Sequence, residues 1–287
     1  MFVFGTIFII VLSSPASDSF MVAVKSENIA QPVVIEVLHL GLNLQGWEVA
    51  ETSHFVIFHN QEKEFVEKVA RVAEQTRIVM TRKWFGKDGD AWTPKCELFL
   101  HATGKDYTRQ TGAPDASSAC ISIKVDPDSQ RVVSRCIDLR CDIPGMVEAI
   151  LPHETTHIAL AGQFGKNQVP RWADEGIAVL SESKEKIDQH RRNLIKLAKE
   201  RGMFGLKELM EVCDYPETAR IPAFYAQSVC LVDFLTKERG PTVFTAFVRD
   251  GLREGYDAAL RRHYKTDFAG LEKNWQKFLV DENKIDH

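Results

Sequence analysis

The sequence carries no strong charge of either sign. Its 40 acidic and 36 basic residues give a formal charge of -4, with no long run of one sign. That excludes the electrostatic footprint of a nucleic-acid partner. No GxSxG segment occurs, and Ser181 and Ser228 have no nucleophile-elbow context, so serine-hydrolase chemistry has no anchor. None of the cysteines (Cys96, Cys120, Cys136, Cys141, Cys213 and Cys230) forms a CxxC pair, which removes a zinc ribbon and a thioredoxin-type redox site. These thiols suit an oxidising compartment, where they could pair as disulfides, or they serve as small buried hydrophobes. Repeats and low-complexity tracts are also missing. The one long apolar run, Phe2 to Leu12, is shorter than the roughly 20 residues a membrane-spanning helix needs, so no stable membrane span is expected.

What is present begins with that run. "MFVFGTIFIIVLSSPAS" ends in small residues with a cleavage point near Ala16 or Ser17, and reads as a signal peptide over 1–16, although no Lys or Arg precedes the apolar part. Secretion, or residence in the periplasm or cell envelope, is the expectation. Residues 17–45 show no clean period and read as a linker or N-terminal extension. The remaining 46–287 read as one α+β domain, with an α/β part over 46–143 and a helical part over 144–287.

In the front part, "SHFVIFHN" has strand character, and a helix follows with Phe65, Val69, Val72 and Ala73 at helical spacing, stopping at Gly86. "CELFLHAT", "SACISIKVD" and "RVVSRCIDL" are further strands of a small sheet, the last two joined as a hairpin through the turn residues of "VDPDSQRV". After Pro144 the segments "KIDQHRRNLIKLAKER", "FYAQSVCLVDFLTKER", "TVFTAFVRDGL" and "FAGLEKNWQKFLVDE" follow a helical period. At 44% apolar and 26% charged residues, a chain of 287 residues has ample material for such a core.

The chemistry concentrates in "ILPHETTHIAL", residues 150–160. Residues four apart lie on one helix face, so His153 and His157 can present imidazole nitrogens to one ion. Glu154 stands about 100° round the axis, where its carboxylate reaches water held by that ion and can serve as a general base. HExxH alone also arises by chance on solvated helix faces. A catalytic zinc requires a third protein ligand and an open position, and "PRWADEGIAVLSE" over 170–182 offers Asp174 and Glu175 as candidates.

HExxH followed by the W-x-x-E-G-x-A pattern of Trp172, Glu175, Gly176 and Ala178 resembles the gluzincin metallopeptidases. With the Y-x-Q-S segment of Tyr225, Gln227 and Ser228 in "FYAQSVCLVDFL", the chain resembles the peptidase MA-like proteins, many of them predicted to be exported from bacteria. The resemblance covers about residues 47–280, with the motifs in the family's order. It implies a zincin-like, thermolysin-like fold, with a small N-terminal mixed sheet and helices followed by a helical C-terminal half. It assigns Glu175 as the third Zn²⁺ ligand, leaving Asp174 the rival read from the residues alone. Glu182, seven residues on and close to two helical turns away, becomes the carboxylate that orients a ligating histidine, against the alternative of a surface carboxylate. Tyr225 becomes the phenol that stabilises the oxyanion, against that of a core tyrosine with a satisfied hydroxyl.

Pro152 stands directly before the first histidine. Proline removes an amide donor inside a helix, so the metal helix either starts near Pro152 or bends there after starting around Gly145. The expected activity is hydrolysis of peptide bonds in a peptide or protein substrate by zinc-activated water. The alternative is an inactive zincin-fold binding module of the cell envelope. No GxMEN-type exopeptidase segment occurs, and no segment speaks to oligomeric state.

Overall fold

The computed structural model describes residues 5–12, 34–164, 168–200, 202–212 and 214–285. These fall into two compact units, one from Met1–Val79 with Asp88–Gly162 and the other from Met80–Lys87 with Gln163–His287.

The first unit holds a seven-stranded mixed sheet in the order β1-β6-β7-β5-β4-β3-β2. Its strands are β1 (Gly5–Leu12), β2 (Leu38–Leu42), β3 (Glu48–Glu51), β4 (Phe55–His59), β5 (Cys96–His101), β6 (Ser117–Val125) and β7 (Val132–Arg140). β4, β5 and β7 run parallel, and every other pairing is antiparallel. Two-residue alternation sets the buried face: Phe55, Ile57 and His59 of β4 and Cys96, Leu98 and Leu100 of β5 are buried, while Glu97 is exposed. The β6–β7 hairpin turns as its sequence predicts, with Asp126 Oδ1 accepting from Ser129 N at 2.6 Å and Gln130 at φ 59°.

Two of the stretches expected to lie outside the domain contribute strands. Gly5–Leu12, within the expected signal peptide, pairs antiparallel with β6; the rest of 1–16 lies outside the described residues. Within the expected linker, Leu38–Leu42 pairs with β3, and 17–33 lie outside the described residues.

Helix α1 (Lys63–Phe85) ends at Gly86, whose φ of 68° suits glycine. Its buried stripe is Val66, Val69, Ala70 and Ala73; Phe65 and Val72 flank it half-buried, one position off the expected phase. A short α2 (Gly104–Thr111) is capped by Thr103, and α3 (Leu151–Leu160) packs on β6 and β7.

The second unit is helical: α4 (Arg171–Val179), α5 (Lys184–Lys199), α6 (Leu206–Glu211), α7 (Ile221–Arg239), α8 (Pro241–Glu254), α9 (Tyr256–His263) and α10 (Phe268–Ile285). Its core is aromatic, with Trp84, Trp172, Trp275, Phe224, Phe244 and Phe247 fully buried, each contributing about 2–3 kcal/mol of apolar transfer. Cys96, Cys120, Cys136 and Cys141 are free thiols, and no disulfide joins two of the described cysteines. Burial pushes the Cys120 thiol up to about 11 and that of Cys141 to about 12, which makes both poor nucleophiles. Among the described residues no helix is long and apolar enough to cross a membrane.

Candidate metal centre

Pro152 leaves its mark on the helix that carries the histidines. Gly145, at φ 72°, opens a π-helical turn over Met146–Ile150, and the regular α3 begins at Leu151. Pro152 therefore lies in the first regular α turn, directly after a wider π turn in which the Leu151 N–H reaches back to the Met146 carbonyl. Its carbonyl accepts from Thr156 Oγ1 at 2.7 Å. Both expected alternatives are partly realised, since the regular helix starts at the proline and an irregular turn precedes it.

Nine of the ten residues of α3 are buried, His153, Glu154 and His157 among them. Three ionisable groups on a buried helix carry a desolvation cost that must be met by partners or an ion. The two imidazoles converge, with Nε2 of His153 and Nε2 of His157 3.1 Å apart and ring planes at 77°. Two nitrogens bound to one tetrahedral zinc at ~2.0–2.1 Å would be roughly 3.3 Å apart, so little adjustment separates this pair from a chelating one.

Glu154 has no solvent exposure and sits in the first turn of α3, where the helix dipole favours a carboxylate. Its charge reaches α2 and β6. Burial, followed by Cys120, Asp138 and Glu154, pushes the Tyr107 phenol up to about 12 despite its 2.9 Å hydrogen bond with Ser117 Oγ.

In the helical unit, α4 positions the second motif. Trp172 is fully buried, edge-on to Phe244 and Tyr256 with centroids at 5.8 and 6.1 Å. Gly176 lets α4 and α7 approach closely: a Cβ there would sit 2.4 Å from Val232 Cγ2 and 2.7 Å from the Ser228 carbonyl oxygen. The glycine of one motif thus packs on the serine of the other. Gln227 fixes the stretch ahead of α6, accepting from Phe204 N at 2.6 Å and donating to Phe204 O at 2.9 Å.

The two rival carboxylates lead different lives. Asp174 Oδ2 lies 3.7 Å from the Arg171 guanidinium. Glu175 is fully buried, and its Oε1 accepts a hydrogen bond from the Tyr215 hydroxyl. Burial, then the neighbouring Glu175, drives the Tyr215 phenol far above its ordinary range, so it stays a donor. Glu182 is buried with its carboxylate 2.5 Å from Lys186 Nζ. Tyr225 is half-buried in a stack, 6.5 Å from Tyr215 and 6.5 Å from His190 between ring centroids.

His153, His157 and Glu175 each offer one ligand atom, and these atoms lie within 4.8 Å of one another. Two buried imidazoles and a buried carboxylate are a donor set that fits a catalytic zinc, and the three could hold such an ion. Asp174 is not in this group.

The model of the peptidase MA superfamily matches residues 137–281. The chain belongs to that superfamily. The match runs from β7 into α10 and includes every residue named above as a candidate ligand, base or oxyanion donor. No curated protein matches the chain. In this peptidase MA chain one residue beside the candidate site escaped the sequence reading: Tyr215, in a non-helical "DYPE" segment with no periodicity and no motif to mark it.

Proposed function

We propose that the chain is a zinc-dependent peptidase in which His153, His157 and Glu175 hold the ion and Glu154 is the general base. One observation carries this reading: those three residues each offer a ligand atom within 4.8 Å, on buried side chains. Membership of the peptidase MA superfamily supports a peptide as the substrate class. When bound, zinc would supply Lewis-acid polarisation and lower the pKa of water towards neutrality.

The chain's own residues do the rest. Glu154 takes a proton from the attacking water on a carboxylate oxygen, holds it, and delivers it to the leaving amide nitrogen. Burial of α3 keeps bulk water from competing for that proton. Tyr225 donates its phenolic hydrogen to the oxyanion, a role consistent with a ring held in an aromatic stack and worth a few kcal/mol. Glu182 buttresses a ligating imidazole through the nitrogen that does not face the ion. A zincin-like scaffold is the fold this reading implies, supported by a mixed sheet followed by the HExxH helix and a helical second part. Export of the chain belongs to the same reading, supported by the apolar run and small residues at its start.

Metal analysis of the purified protein should find about one zinc per chain, falling sharply in His157→Ala. Glu154→Gln should keep its zinc and lose chelator-sensitive peptide hydrolysis by about 10²-fold or more. Equal hydrolysis by the two proteins would remove Glu154 as the base. Zinc-loaded wild type that cleaves nothing in a broad peptide library would instead favour an inactive metal-binding module.

A further inference from the structure

A carboxylate has two oxygens and about four lone-pair directions, so a ligand glutamate can serve an ion and a protein donor together. Glu175 has such a donor within its own unit, since the Tyr215 hydroxyl hydrogen-bonds Oε1. Tyr215 is itself held. The Arg171 guanidinium lies 5.1 Å from its ring centroid, Tyr225 stacks on it at 19°, and Phe224 meets it edge-on at 6.1 Å. Arg171 is anchored in turn by Asp174 at 3.7 Å. Asp174, Arg171, Tyr215 and Glu175 thus form a closed relay in which the two neighbouring carboxylates of α4 meet one cation from the first turn of the same helix and one phenol from outside it.

We propose that Tyr215 is a positioning residue of the metal site, holding Glu175 through Oε1 so that the carboxylate keeps one orientation and presents its other oxygen to the ion. This rests on the reading of Glu175 as a zinc ligand. Tyr225 enters the relay through its ring, which stacks on that of Tyr215. Removing the Tyr215 hydroxyl takes away this hold on the carboxylate and lowers metal affinity. An ordering partner of this kind is worth 10–100-fold in metal affinity where such shells have been perturbed.

The test is the zinc dissociation constant of the full chain, measured by competition with a chromogenic chelator at fixed pH, for wild type, Tyr215→Phe and Glu175→Gln. Circular dichroism of each metal-free protein checks the fold. Tyr215→Phe should bind zinc ~10–100-fold more weakly, and Glu175→Gln should be weaker still. Zinc-saturated Tyr215→Phe should recover most of its turnover, because the residue acts through the ligand and does not touch substrate. Tyr215→Phe with wild-type affinity, beside a Glu175→Gln that loses zinc, would overturn the role of Tyr215 and leave the metal site standing. Glu175→Gln with wild-type affinity would overturn the ligand assignment and the positioning role together. Wild-type affinity with lost turnover in Tyr215→Phe would refute positioning and move the phenol to the substrate. If Tyr215→Phe has a disturbed fold, Arg171→Met, which leaves the phenol in place, should lower affinity by loosening the ring, and unchanged affinity there would overturn the relay.

Discussion

Gly176→Ala tests the packing that sets α4, and therefore Glu175, against α7. In an unconstrained helix interior this substitution stabilises by about 1 kcal/mol, because alanine has less backbone entropy to lose. Here the new methyl would lie 2.7 Å from the Ser228 carbonyl oxygen and 2.4 Å from Val232 Cγ2. The valine is stiff at χ1 and the carbonyl belongs to the α7 ladder, so neither can turn away without wider movement. Restoring an ordinary 3.4 Å contact with the carbonyl alone requires the helices to part by about 0.7 Å. Overpacking of this kind costs ~1–3 kcal/mol, and an unyielding backbone contact puts it near the top of that range. After subtracting the gain in helix propensity, a net loss of about 1–2 kcal/mol is expected, roughly a 5- to 30-fold fall in the folded-to-unfolded ratio. A guanidinium titration followed by far-UV circular dichroism should show a lower midpoint at an unchanged slope. Zinc affinity should fall as well, since Glu175 is the adjacent residue. A Gly176→Ala protein as stable as wild type, or more so, would show that α4 and α7 do not meet this closely.

Two other predictions concern the sheet unit and the N-terminal run. Burial raises the Glu74 carboxyl, but hydrogen bonds from His54, Thr52 and Arg77 outweigh it and hold the group down to about 2. A carboxylate depressed on folding stabilises above its unfolded value of roughly 4.3, here by ~3 kcal/mol at most, and loses that contribution as pH falls through about 2. Glu74→Gln should therefore lower stability at neutral pH and flatten the decline between pH ~4.5 and ~2, whereas acid profiles of the same shape would refute the assignment. N-terminal sequencing of protein recovered from the cell envelope or medium should begin near Ala16 or Ser17; an intact Met1 would rule out cleavage and leave the segment that forms β1 on the chain.

Much of the architecture was readable because it depends on local periodicity. The hairpin at 126–131, the stop of α1 at Gly86 and the long helices α5, α7, α8 and α10 follow from turn chemistry and a 3.6-residue period. β2 was hidden because all five of its residues are exposed at the sheet edge, so it has no inward and outward alternation to read. β1 was hidden for the opposite reason: an unbroken apolar run has the same composition in a leader as in a strand. The π-helical turn before α3 could be anticipated only as a start or bend, since proline constrains its neighbours without choosing between those outcomes.

The candidate site divides along the same line. HExxH is a local pattern, and helix phase alone brings its two imidazoles together. The third carboxylate is a different problem, because Asp174 and Glu175 are adjacent and composition cannot separate them. They part only in space, about 100° apart on α4, where Asp174 meets Arg171 and Glu175 meets Tyr215. The glycine that follows is what permits this, since the close approach of α7 fixes the rotation of α4 about its axis and hence where each carboxylate points. The motif's glutamate and glycine are therefore one device: Gly176 sets the helix phase that Glu175 needs. Two perturbations with no chemistry in common, a methyl added at 176 and a hydroxyl removed at 215, should on this reasoning weaken the same zinc affinity by displacing the same carboxylate.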